Sequence, residues 1–407
     1  MTPQRLVPAL SALALLATHL SGLAAPLQVY ILAGQSNMQG HAHVRTIEHV
    51  AMDPATIPLF KEMTNPDGSH KTSQRVWISS IGCLDHETKE QTGKLTTGFG
   101  ASQNGPKIGP EFTFGLTMEK STDAPILIIK TAWGGKSLNT DFRPPSAGPY
   151  PFSESQLAHF QKQGKDLAAI KSDKAKQTGV YYRMMLAHVK TVLADIKRVV
   201  PDYDPAQGYE LSGFAWFQGW NDMVDSGTYP NRNQPGGYDE YSKVMAHFIR
   251  DVRKDLGKPD LPFVIGVLGV GGPTSEYGPD EQRYKSTHEN FRKAMAAPAN
   301  LLEFKGNVTA VLTERYWDKE LTAAQAKENL LKQEARKLAT SENLNPKEEK
   351  ATFEKLRLEN LTERERTILE KGISNFAFHY LGSAKILGGI GKGLAEAMIE
   401  LQPSTGQ

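Results

Sequence analysis

The sequence predicts an α/β fold: a largely parallel sheet with helices on both faces. Three observations carry this. Short apolar runs alternate with amphipathic helical segments along most of the chain. The runs are continuous rather than alternating, as expected of strands buried on both faces. Strand–helix alternation of this kind implies right-handed crossovers and therefore parallel neighbours.

The elements follow in order. Met1-Thr-Pro-Gln-Arg5 precedes an apolar stretch, Leu6 to Leu23, with small residues at Gly22, Ala24 and Ala25. This is the pattern of a cleaved secretory signal, residues 1–24, which implies a periplasmic or secreted protein. Pro8, Ser11, His19 and Ser21 interrupt the stretch, whereas a membrane anchor needs about 20 consecutive apolar residues. Strands are expected at Leu27–Ala33, Val76–Ile81, Ile126–Thr131, Leu211–Phe217, Phe263–Leu268 and Val308–Leu312. Helices are expected at Glu111–Lys120, Tyr181–Val200, Tyr238–Leu256 and Gln282–Ala296. In the second of these, Tyr182, Met185, Leu186, Val189, Val192, Leu193 and Ile196 form one apolar stripe. Residues 319–372 are charged, helix-prone and free of strand runs, and read as a helical insertion dividing the domain into 25–318 and 373–407. A last amphipathic helix, Leu381–Leu401, closes the fold.

Composition narrows the function. The 407 residues carry 47 Lys+Arg against 45 Asp+Glu, a net charge of +2. A nucleic-acid binder needs a surplus of basic residues to face phosphate, and this chain has none overall. Cys83 is the sole cysteine, so an intrachain disulfide, a cysteine-based zinc site and an iron–sulfur cluster are excluded.

Three expected strand ends carry polar blocks. Gly34-Gln-Ser-Asn-Met38 ends the first strand, where a parallel sheet delivers side chains to a ligand. Ser36 there leads into a helix whose N-terminal amides could stabilise an anion. It is neither a Gly-x-Ser-x-Gly elbow, since Met38 occupies the second glycine position, nor a phosphate loop. Ala132-Trp-Gly-Gly-Lys136 and Gln218-Gly-Trp-Asn-Asp222 follow the strands ending near 131 and 217. Their backbone amides and the Asn221 side chain could form an oxyanion hole. His379 is the best-placed base. His41 and His43 lie too near Ser36 along one segment to reach back to it, and an isolated His-x-His pair is weak evidence for a metal.

These blocks resemble the SGNH hydrolase superfamily, and within it the sialate O-acetylesterase-like and acetylxylan-esterase-like carbohydrate esterases. The resemblance implies a flavodoxin-like three-layer α/β/α sandwich, no metal or other cofactor, and removal of acetyl groups from sugars through an acyl-serine. It implies Ser36 as nucleophile and His379 as general base. The amide of Ser36, that of Gly135 (or Gly134) and the Asn221 side chain would form the oxyanion hole. Gln35 and Gln218 would line the site. Apart from the resemblance, Asp141-Phe-Arg-Pro-Pro145 follows the glycine loop and could offer Arg143 or Asp141 to a sugar, or simply form a structured loop with an internal ion pair.

Two positions depart from the pattern. The family usually has an Asp three residues before the histidine, and here that residue is Phe376. Asp318 is the expected substitute. A main-chain carbonyl orienting the ring, or an inactive site, are the alternatives. Trp220 stands where the acetylxylan-esterase-like members commonly carry Glu, which bears on substrate preference. The expectation is thus an exported carbohydrate O-acetylesterase with an acetylated glycan as partner. The rival readings are an inactive carbohydrate-binding module and an esterase of non-sugar substrates.

Overall fold

The computed structural model describes residues 25–402. The secretory signal expected at 1–24 lies outside the described residues. Seven strands form the central sheet: β1 (Leu27–Gly34), β2 (Val76–Ile81), β3 (Gln91–Lys94), β4 (Ile126–Ala132), β5 (Tyr209–Phe217), β6 (Phe263–Val267) and β7 (Val308–Leu312). Their order is β3-β2-β4-β1-β5-β6-β7. All pair in parallel except β3, which runs antiparallel to β2. β2, β4 and β6 are buried along their whole length, which explains their mainly apolar sequence. Polar β3 (Gln-Thr-Gly-Lys) is a partly exposed edge strand; its sequence carries no apolar run to announce it.

Helices α1 (Pro110–Ser121), α2 (Val180–Ala194), α3 (Asp239–Asp255) and α4 (Gln282–Ala296) fall between the strands, and α8 (Ala384–Leu401) closes the fold. Adjacent residues of β5 separate the two layers. Gly213 faces Met398 of α8 and Tyr30 of β1, and Tyr30 in turn packs against Phe114 of α1. Phe214 faces the other way, onto Phe248 of α3, which also meets Tyr182 of α2. The result is a three-layer α/β/α sandwich. α1 and α8 approach closely because α8 carries glycine at the contact: a Cβ on Gly391 would lie 2.2 Å from the Pro110 carbonyl oxygen.

Residues 319–372 form α5 (Lys319–Ser341), α6 (Pro346–Asn360) and α7 (Glu363–Gly372). Asp318, Asn345 and Thr362 cap their N-termini. Two expected boundaries shift, and two helices were not expected. α2 stops at Ala194, because Asp195 leaves helical geometry before a short turn at Ile196–Arg198. α8 begins at Ala384, because Tyr380, Leu381 and Gly382 all take positive φ. Two helices, Glu154–Lys162 and Leu167–Gln177, bury no residue and so carry no apolar stripe to read. Among the described residues, no helix is long and apolar enough to cross a membrane.

Candidate active site

One rung of the sheet assembles the polar blocks. Gly34 of β1 pairs in register with Ala132 of β4 on one side and Phe217 of β5 on the other. Ser36, Gly134 and Asn221 therefore leave the sheet from adjacent C-terminal ends. β1 is also where the strand order switches direction, the usual ligand position in open α/β sheets.

Ser36 is the first residue of a short helical turn, Ser36–Gln39, with extended Gln35 before it. The turn fits against the sheet only because Gly34 has no side chain: a Cβ there would sit 2.1 Å from the Phe217 carbonyl oxygen. Gly34→Ala is therefore expected to lower stability by at least about 3 kcal/mol, read from the denaturant midpoint. Gly134 lies against the Ser36 turn, since a Cβ on it would be 3.9 Å from Ser36 Cβ. Gly135 has φ +73 with open space where a Cβ would be. Asn221 is partly exposed in the turn after β5.

His379 arrives from the far end of the chain, in the loop before α8. Tyr380 anchors that loop. Its hydroxyl accepts from the Gly269 amide, just beyond β6, at 2.8 Å, and lies 2.8 Å from Thr313 Oγ1, just beyond β7. Thr313 spends its own proton on the Val267 carbonyl, so Tyr380 is the donor between the two. Ser374 ties the loop to the segment after Ser36, accepting from the His43 amide and donating to the Gly382 carbonyl. The Ser36–Gln39 turn packs against residues 377–382. Consecutive left-handed conformations at bulky Tyr380 and Leu381 are strained, and this dense anchoring holds them.

The partner of His379 is Asn375, with Nδ1 3.0 Å from Asn375 Oδ1. That oxygen also accepts from the Phe376 amide at 2.8 Å. An atom accepting an N–H is the carbonyl oxygen of the amide, so Nδ1 carries the imidazole proton and Nε2 keeps its lone pair. Burial pushes the His379 pKa down to about 4. His41 stacks face to face on His379, ring centroids 3.9 Å apart and planes 1° from parallel. Its own pKa falls to about 3, through burial first and then the neighbouring His379.

Asp318 does not take the orienting position expected of it. Its carboxylate lies 2.9 Å from Lys385 Nζ and 3.8 Å from His49, and it caps α5 through the Leu321 amide. Continuing straight into α5 commits it to that ion cluster. Arg143, expected at the sugar, is buried and spends its guanidinium on the Asn139 side chain and the Ala147 and Gly148 carbonyls. Gln35 is wholly buried, without a side-chain partner among the described residues. Gln218 is a brace rather than an exposed lining group, donating to the Lys136 carbonyl and to Asp222. Asp222 also accepts from the Leu138 and Asn139 amides, so it fastens the glycine loop to the Asn221 turn. Burial raises its pKa to about 6 despite these bonds.

The sequence reading missed Lys130 and Glu111. Lys130 is fully buried in β4, 2.7 Å from Glu111 and donating to the Gln39 and Phe99 carbonyls. It thus holds the end of the Ser36 turn. The signal was present: a lysine inside Ile-Leu-Ile-Ile-Lys-Thr-Ala must be paired if that strand is buried. Lys130→Met, leaving Glu111 alone, is expected to cost about 3–5 kcal/mol of stability by denaturant titration.

Residues 26–315 match the family described as carbohydrate esterase, sialic acid-specific acetylesterase. The chain belongs to that family. The Ser36 block, the glycine loop and the Asn221 turn of this carbohydrate esterase all lie inside the match, whereas His379 and the three helices after Asp318 lie beyond it. No curated protein matches the sequence. Solved structures that it resembles include a protein of Arabidopsis thaliana, at 17% identity and TM-score 0.38, covering 71% of this chain and 86% of that one. Another is a carbohydrate acetylesterase from Xanthomonas citri, at 17% identity and TM-score 0.35, covering 67% of this chain and 48% of that one. The family assignment rests on the sequence match alone.

Proposed function

We propose that this carbohydrate esterase is an exported O-acetylesterase working through Ser36 and His379, on acetyl groups of sialate- or xylan-type glycans. The observation that carries the reading is the shared rung Ala132–Gly34–Phe217, from which Ser36, Gly134 and Asn221 all emerge. His379 Nε2 takes the Ser36 hydroxyl proton as Oγ attacks the acetyl carbonyl carbon. The resulting oxyanion is held by the Ser36 and Gly135 (or Gly134) amides and the Asn221 side chain. Collapse breaks the bond to the sugar oxygen, which takes the proton back from His379. Water then repeats the sequence on the acyl-serine, releasing acetate. Asn375 replaces the usual acid: it fixes the ring and its tautomer, without adding charge.

The test is acetate release by the protein without residues 1–24, from acetylated sugars and from ethyl acetate, butyrate and octanoate. The reading expects turnover of acetates with a sharp fall beyond acetyl, and none in Ser36→Ala. Equal or better turnover of the longer acyl chains overturns the acetyl assignment. Binding of acetylated glycans without turnover would instead favour an inactive carbohydrate-binding module, the reading that the uncharged Asn375 supports.

A further inference from the structure

Three aromatic rings flank the proposed reacting groups: Phe376 and Phe378, which stand outside the core, and Trp220, which packs partly against it. Phe378 precedes His379 and meets its ring edge to face, centroids 4.4 Å apart. Phe376 stacks on Phe378 at 5.3 Å and 14°, and Phe376 is 70% exposed. Trp220, next to Asn221, reaches Phe378 from the turn after β5, ring centroids 5.7 Å apart. A Phe left 70% open to water gains little from burial, and with half-buried Phe378 and Trp220 beside it the three make one aromatic surface of the kind that marks a binding site.

The chemistry says which part of the substrate would meet it. His379 must return its proton to the leaving oxygen, so the alcohol half of the ester lies on the His379 side. The acyl oxygen points the other way, towards the Ser36 amide and Asn221. What stands on the His379 side is this set of rings. We propose that Phe376, Phe378 and Trp220 form the subsite for the leaving alcohol, and that its occupant is a pyranose ring lying with its C–H face on the aromatic faces. The electron-rich ring face attracts the slightly positive axial C–H bonds, and rigid aromatics lose little entropy on binding. The inference rests on the assignment of Ser36 and His379 as the reacting pair.

The test compares two acetate esters, ethyl acetate and peracetylated methyl β-xylopyranoside, in wild type, Phe376→Ala and Trp220→Leu. The expected result is a KM for the pyranoside raised about tenfold in each variant, the loss of one aromatic contact. The change on ethyl acetate should be at least fivefold smaller. Equal losses on both esters would overturn the subsite, since the rings would then only support His379 and Asn221. No loss on either would overturn it too. If wild type hydrolyses neither ester, the esterase reading fails separately, and calorimetric binding of the pyranoside to the same three proteins decides. Binding weakened about tenfold in the variants sustains the aromatic subsite, whereas binding that is absent or unaltered removes it.

Discussion

Ser36→Ala is expected to lower kcat on an acetate ester at least 1,000-fold, to about the background of the oxyanion donors alone, with an unchanged thermal midpoint. Ser36 opens its turn without capping it through the side chain, so removing Oγ takes away chemistry and little structure. His379→Ala should cost a similar factor, and the double variant no more than either single one. Non-additivity of that kind is the signature of two groups acting as a unit. Losses that instead multiplied would show Ser36 and His379 serving separate steps. Rates on ethyl acetate, with melting curves of all three variants, make the comparison.

The second large effect concerns Asn375. In wild type, His379 must be neutral to accept the serine proton, and burial keeps its pKa at about 4. The value of kcat/KM should therefore hold through mildly acidic pH and fall only as pH drops through about 4. Asn375→Asp places a carboxylate on Nδ1, which raises the imidazole pKa and moves the acid limb up by about 1–3 pH units. A stronger base should also raise the plateau rate, by about tenfold. Asn375→Ala leaves the ring unoriented and should cost about 100-fold, with no gain in basicity. A pH profile identical in Asn375→Asp and wild type would remove Asn375 from the mechanism.

On the acid side, stability begins to fall at a higher pH than activity does. The unfolded chain, with histidines near their usual 6.5, binds protons that folded His41 and His379 refuse. The stability these two groups allow is thus complete above about pH 6.5 and declines as pH falls towards 4.

The sheet was legible because strands covered on both faces are mainly apolar, and six of its seven strands announce themselves in that way. The nucleophile block, glycine loop and Asn221 turn were legible because each directly follows such a strand. The orienting group was not. Asn375 lies one residue before the position where the family pattern puts its Asp, and a neutral amide gives no sign of its role until the fold shows which of its atoms faces the ring. Asp318 looked suitable in sequence because it follows β7, yet the same position makes it the cap of α5. Arg143 and Gln218 illustrate a related limit, since a polar residue near a site is as often a brace for the backbone as a contact for a ligand.

The anchoring of Tyr380 has a consequence for how activity arises during synthesis. The Ser36 turn and its supporting strands lie early in the chain, but His379, the proposed base, is held only once β6, β7 and the loop before α8 have all come together. A nascent polypeptide emerging N-terminus first therefore carries the serine for most of its length with no partner to activate it. Under the proposed Ser36–His379 mechanism, hydrolytic competence comes at the last stage of assembly, which makes regained esterase activity a sensitive clock for completion of the native fold.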